Sequence, residues 1–161
     1  MQLVKRDFDM NRLELLIPPP VVAVVFASAI WVLSKLIPVI WLFPGQMMGV
    51  AMLAAMGLAL DITALIGFLR AKTTINPIKP DQSSTLVTGG LYRITRNPMY
   101  LGLALLVAAW TLYQANPFGW LLWLGFCAYI TRFQIIPEER HLAMLFGEDF
   151  EIYKSRVRRW I

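Results

Sequence analysis

The chain has 161 residues, 58% of them hydrophobic and only 16% charged. A soluble domain carries about 25% charge, so a water-soluble globule is excluded and an all-α polytopic membrane protein is expected. The net charge of +5 could suggest a nucleic-acid partner, but the basic residues flank apolar runs as a membrane protein's do, and the lipid bilayer is the expected partner.

The first stretch, "MQLVKRDFDMNRLELLIPPP", mixes acids and bases and lacks a small-residue cleavage site, so no cleavable signal is expected. Four spans follow, at about 20–37, 46–69, 98–113 and 118–136. Each is near the ~20 residues needed to cross a ~30 Å hydrocarbon core, the third being the shortest. The connections 38–45 and 114–119 carry no charge and hold Pro, Gly and Asn turn signals. Every Lys or Arg except Lys35 falls in the N-terminal tail, the 70–97 loop or the segment from Arg132 onward. The positive-inside rule then places both termini and the 70–97 loop in the cytoplasm. Residues 137–160 read as a cytoplasmic helical cap on a single membrane domain 1–161. Pro137, Glu138 and Glu139 suit a first helical turn, and Gly147 is a break point.

Three places carry chemistry beyond what an anchor needs. In "GLYRITRNPMYLG" (90–102), Pro98 preorganises a helix start whose free N–H groups face anions. Arg93 and Arg96 stand three apart before it, with Tyr100 and Gly102 after it. Positive-inside arginines and an aromatic belt would account for the same residues. Glu138 and Glu139 are either helix-start acids or a pair that binds a cation or hydroxyls. Asp61, a lone carboxylate about 13 Å up the second helix from Arg70, is either a functional group or a helix-to-helix hydrogen bonder. Arg132 lies slightly inside the bilayer, where a charge needs a partner or a wet cavity. His141 reads as polar packing. Cys127 and His141 are each the only residue of their type, so no metal site is expected.

The pair of stretches "LVTGGLYRITRNPMYLG" and "PEERHLAMLFGEDFEIYKSRVRRW" resembles the isoprenylcysteine carboxyl methyltransferase family and its phospholipid methyltransferase relatives. The matching positions are Leu86, Val87, Thr88, Gly90, Tyr92, Arg96, Pro98, Tyr100 and Gly102, then Glu138, Glu139, Leu142, Phe146, Gly147 and Tyr153. Leu91 replaces the pattern's proline, Asn97 its histidine and Phe150 its first tyrosine. Asn for His keeps a hydrogen-bonding group but removes a titratable one.

The resemblance implies a membrane methyltransferase that uses S-adenosylmethionine and acts on a lipophilic or membrane-embedded acceptor. Its cofactor would lie among Leu86, Val87, Gly90, Tyr92, Arg93, Arg96, Asn97, Pro98, Tyr100, Gly102, Glu138 and Glu139, on the cytoplasmic face. Arg132 and Asp61 are the candidates for catalytic roles. The atom methylated and the oligomeric state stay open. Two other classes compete: an NADPH-dependent reductase of the sterol-reductase type, using Lys72 and Lys79 for the 2′-phosphate, and a non-catalytic partner in which Asp61 and Arg132 pair inside the membrane.

Overall fold

The computed structural model describes residues 14–71 and 86–161. The tail before Glu14 and residues 72–85 of the 70–97 loop, Lys72 and Lys79 included, lie outside them. Six α-helices follow one another: α1 Pro19–Leu36, α2 Gln46–Ala71, α3 Pro98–Tyr113, α4 Gly119–Ile130, α5 Ile136–Phe146 and α6 Glu148–Arg156. A 3-10 turn, Gly90–Arg93, precedes α3, and a π-helical turn, Thr131–Ile135, joins α4 to α5. Among the described residues, three helical runs are long and apolar enough to cross a membrane: Pro19–Leu36, Gln46–Gly67 and Gly119–Phe146. The protein is an all-α integral membrane protein.

Proline sets the entry of the helices, since its fixed φ and missing N–H suit the first turn. Pro19 opens α1, Pro98 opens α3 and Pro137 stands in the first turn of α5. Gly147 ends α5 at φ 51°, a left-handed conformation that favours glycine, and α6 starts directly after it.

The shortest continuous apolar run, α3, is the central one. α3 packs against α1, α2 and α4, and eight of its residues, from Pro98 to Thr111, are buried. Its contact with α2 depends on two glycines. A Cβ on Gly57 would stand 2.8 Å from the Gly102 carbonyl oxygen, and one on Gly102 would stand 2.9 Å from the Gly57 oxygen. Small residues at such crossings let membrane helices approach closely. On the other flank, Val22, Ile30, Tyr100, Ala104, Val107, Phe126, Ile130 and Ile135 make one core. The Trp123 and Trp110 indoles donate to the backbone of Ala104 and Ala27 at 2.8 and 2.9 Å.

The two ends of α3 differ. At its C-terminal end the connections are tied down by hydrogen bonds: Asn116 Nδ2 to the Ile37 carbonyl at 2.7 Å, Trp41 N to Ala115 at 2.7 Å, and Gln46 Nε2 to Leu112 at 2.6 Å. At its N-terminal end the neighbours run past it. Ten residues of α2 follow Asp61, which lies beside Gly102, whereas α3 itself has only four before Gly102. At 1.5 Å per residue α2 overshoots the mouth of α3 by roughly 9 Å. Into the recess so formed pack the 86–93 segment, α5 and α6, around a second core of Ala64, Tyr92, Phe150, Tyr153 and Val157.

Candidate functional site at the mouth of the third helix

The recess brings the two motif stretches into direct contact. Tyr100 Oη donates to Glu138 at 2.5 Å, and Arg96 Nη2 meets Glu139 Oε1 at 2.7 Å. Glu139 is gripped from its other side by Arg159, whose Nη2 and Nε lie 2.7 and 3.1 Å from its two oxygens. Two-pronged arginine–carboxylate geometry is the strong form of such a pair. The contact with Glu139 holds the Arg159 guanidinium above its ordinary pKa, against the opposing effect of burial.

The C-terminal tail closes over the same place. Arg96 Nη1 donates to the carbonyls of Lys154 and Val157 at 3.1 and 2.7 Å. Arg96 N donates to Arg158 at 3.0 Å, and Asn97 Nδ2 to the Arg159 carbonyl at 2.9 Å. Thr95, itself buried, donates to the Arg159 carbonyl at 3.3 Å and accepts from Asn97 N at 3.1 Å. Asn97, where the motif has histidine, therefore spends a side-chain donor on holding the tail. One donor is left over: Arg96 Nε is buried and has no hydrogen-bond partner. Leaving a buried donor unpaired costs about 1–3 kcal/mol, and more when the group is charged.

A cavity of about 520 Å³ is lined by Thr63, Ile66 and Gly67 of α2 and by residues 86–92; Arg96, Tyr100, Glu138 and Glu139 are not among its lining residues. Leu86, Val87, Gly90 and Tyr92 are thus grouped along one wall, much of it backbone. Gly90 is at φ 61°. Tyr153 Oη donates to the Tyr92 carbonyl at 2.7 Å and keeps this wall in place. Burial pushes the Tyr153 phenol up to about 12, with Arg96 pulling slightly the other way. Tyr92 is raised as well, by burial first and then by Tyr153 and Glu138. Arg93, on the 3-10 turn, is exposed.

Asp61 faces the first turn of α3. A Cβ on Gly102 would lie 2.6 Å from Asp61 Cγ, and Asp61 Oδ1 is buried without a partner. Neither the helix-to-helix hydrogen bond nor a pair with Arg132 is formed. Arg132 is bound instead to Glu14, at 2.5 Å, and Glu14 also meets Arg140. Burial opposes the ionised Glu14, but the hydrogen bonds and charges of Arg132 and Arg140 prevail and hold it below the usual carboxylate range. This part of the chain tethers the π-helical turn: Leu15 N donates to the Phe133 carbonyl at 2.9 Å, and Gln134 Nε2 to that of Ile17 at 2.8 Å. His141 Nδ1 lies 2.8 Å from the Pro137 carbonyl on its own helix.

Arg159, Thr95 and Glu14 were not legible as participants. Nothing in the spacing of "KSRVRRWI" separates Arg159 from its basic neighbours, because the tail returns to α3 only through tertiary contacts.

Comparison with known proteins decides the family. The phospholipid methyltransferase family matches residues 45–149, from just before α2 into α6. The chain belongs to that family. Among relatives, an uncharacterized protein of Haemophilus influenzae is 44% identical over 63 residues, 39% of this chain and 100% of that protein. Protein-S-isoprenylcysteine O-methyltransferase B of Arabidopsis thaliana is 31% identical over 105 residues, 63% of this chain and 52% of that protein. The chain thus matches about half the length of the Arabidopsis protein. No solved structure matches. Membership of the phospholipid methyltransferase family supports a membrane methyltransferase, and the matched segment contains α2, α3, both glutamates and Arg96. Tyr153, Arg158, Arg159 and Trp160 lie beyond it.

Proposed function

We propose that the protein is an S-adenosylmethionine-dependent methyltransferase acting on a lipophilic acceptor at the membrane surface. The observation that carries the reading is the convergence of the two motif stretches at the mouth of α3, Tyr100 on Glu138 and Arg96 on Glu139.

The residues present fit the cofactor. A cavity of about 520 Å³ is within the ~300–1,000 Å³ of small-molecule sites. Its wall of exposed backbone at 88–90 offers hydrogen bonds to a flat heterocycle. The unpartnered Arg96 Nε, beside the first turn of α3, suits a carboxylate. When bound, S-adenosylmethionine supplies an electrophilic methyl group on a positively charged sulfur.

The chain's own task is then binding, alignment and exclusion of water. Arg96 and the first turn of α3 would anchor the amino-acid end, and Glu138 would hold a cationic or hydroxyl group. Asp61, on the membrane side of the same turn, would face the acceptor. The acceptor would enter from the lipid while the soluble cofactor arrives from water. We place that aqueous face, and both termini, in the cytoplasm by the positive-inside rule, because the described basic residues other than Lys35 lie on this side.

Calorimetric titration of detergent-purified protein with S-adenosylmethionine, S-adenosylhomocysteine and NADPH tests the reading. Binding of the first two and not of NADPH is expected. Binding of NADPH alone would instead support a reductase, and binding of none would remove the enzymatic reading. Asp61→Asn should lower turnover more than cofactor affinity; a loss of cofactor affinity at unchanged turnover would take Asp61 off the acceptor side.

A further inference from the structure

We infer that Arg159, beyond the residues 45–149 matched by the phospholipid methyltransferase family, is a positioning residue that sets the charge of the anchor at Arg96 and so selects for a cofactor bearing a carboxylate. This rests on the cofactor reading proposed above.

Glu139 stands between two arginines. If Arg96 and Glu139 were alone they would neutralise each other, and a second anion would gain nothing from approaching. Arg159 adds a charge on the far side of the same carboxylate, its Nη2 2.7 Å from Oε2 and its Nε 3.1 Å from Oε1. The three groups then carry a net positive charge, with the Arg96 side chain 10% exposed, that of Glu139 14% and that of Arg159 37%. Partly buried charge is screened less than fully exposed charge. Arg96 cannot turn to another anion freely, because Nη1 is fixed by the carbonyls of Lys154 and Val157 and Nη2 by Glu139. The donor left without a partner is Nε. Arg159 thus supplies the excess charge, and Arg96 has the atom to express it.

The tail is built to keep Arg159 there. Its own carbonyl accepts from Asn97 Nδ2 and Thr95 Oγ1, and Trp160 Nε1 donates to Thr131 Oγ1 at 3.2 Å. Residues on either side of the guanidinium are therefore anchored, one at the mouth of α3 and one on the π-helical turn.

The test compares two ligands differing only in the carboxylate, S-adenosylmethionine and decarboxylated S-adenosylmethionine, on the full-length purified protein. Binding of each is measured by calorimetry, with the thermal unfolding of every variant alongside. Arg159→Met should weaken S-adenosylmethionine about 10-fold, the cost of one charge-assisted contact. The decarboxylated compound should stay within about twofold, since it has no anion to lose. Arg159→Lys keeps the charge while losing the fork, and should retain S-adenosylmethionine affinity within about threefold. If Arg159→Met does not fold, Arg159→Gln makes the same comparison with one hydrogen bond to Glu139 retained.

Equal loss for both ligands would show the tail to be a structural clasp and would overturn the inference. So would unchanged affinity for both. Wild-type protein that binds neither compound would overturn the cofactor reading itself, and this inference with it. Wild-type binding with an unselective variant overturns the inference alone.

Discussion

At the scale of single residues, the site is an exercise in placing polar groups where few are tolerated. Tyr153 illustrates the cost. Its hydroxyl satisfies the Tyr92 carbonyl at 2.7 Å in a pocket where Tyr153 is 9% exposed. Tyr153→Phe should destabilise the fold by about 1 kcal/mol, because the buried hydrogen bond to the Tyr92 carbonyl is lost. The pH dependence has a definite sign. The folded-state pKa is raised, to about 12 from the ordinary 10.0, so the stability it contributes is whole below pH 10 and is lost as the pH rises through 12. Thermal unfolding followed from pH 9 to 12 should show a steeper decline in wild type than in Tyr153→Phe. Parallel declines would mean that the phenol is not the titrating group. The departures from the family pattern make sense at this scale too. Phe150 is 2% exposed in the second core, a setting in which a tyrosine hydroxyl would need a partner. Asn97 donates to the tail, a role that needs an N–H and no titratable proton.

At the scale of the helices, spacing and composition carried much of the argument. The helix starts at Pro19 and Pro98 and the break at Gly147 follow from proline and glycine chemistry that acts within a few residues. What lay beyond the sequence were events that depend on tertiary contact. The π-helical turn at Thr131–Ile135 is one. It makes α4 and α5 one continuous run, where a boundary near 136 was expected, and its backbone is tied down by the segment before α1. The pairing of Arg132 with Glu14, 118 residues away, is another, for nothing in local spacing distinguishes Glu14 from Asp61 as a partner. The α2–α3 crossing gives a prediction of its own. Gly102→Ala adds a methyl that meets both the Asp61 carboxyl group and the Gly57 carbonyl oxygen. Overpacking of this kind costs about 1–3 kcal/mol, and should show as lowered thermal stability. Adding Asp61→Ala should recover part of it, since the side-chain half of the clash goes while the backbone half stays. Full recovery would mean that the backbones are not in contact at this crossing.

At the scale of the molecule, the short central helix decides where the chemistry can be. Sixteen residues of α3 span about 24 Å, less than the ~30 Å of hydrocarbon. Its polar mouth must then be covered by something other than lipid, and the 86–93 segment, α5, α6 and the tail provide that cover. Such a mouth is useful to a cofactor made in the cytoplasm only if it faces inward, which fixes the most discriminating test of the whole reading. With Cys127 replaced by alanine, single cysteines at Tyr113, 53% exposed at the far end of α3, and at Ser155, exposed on α6, give one reporter for each side. Placement by the positive-inside rule makes Tyr113→Cys react with an impermeant maleimide on intact cells, and Ser155→Cys only after permeabilisation. Neither residue is a member of the ion-pair network around Glu139. The reverse pattern would put Arg96, Glu138 and Glu139 outside the cell, out of reach of intracellular S-adenosylmethionine, and would sink the proposed activity whatever the binding measurements gave.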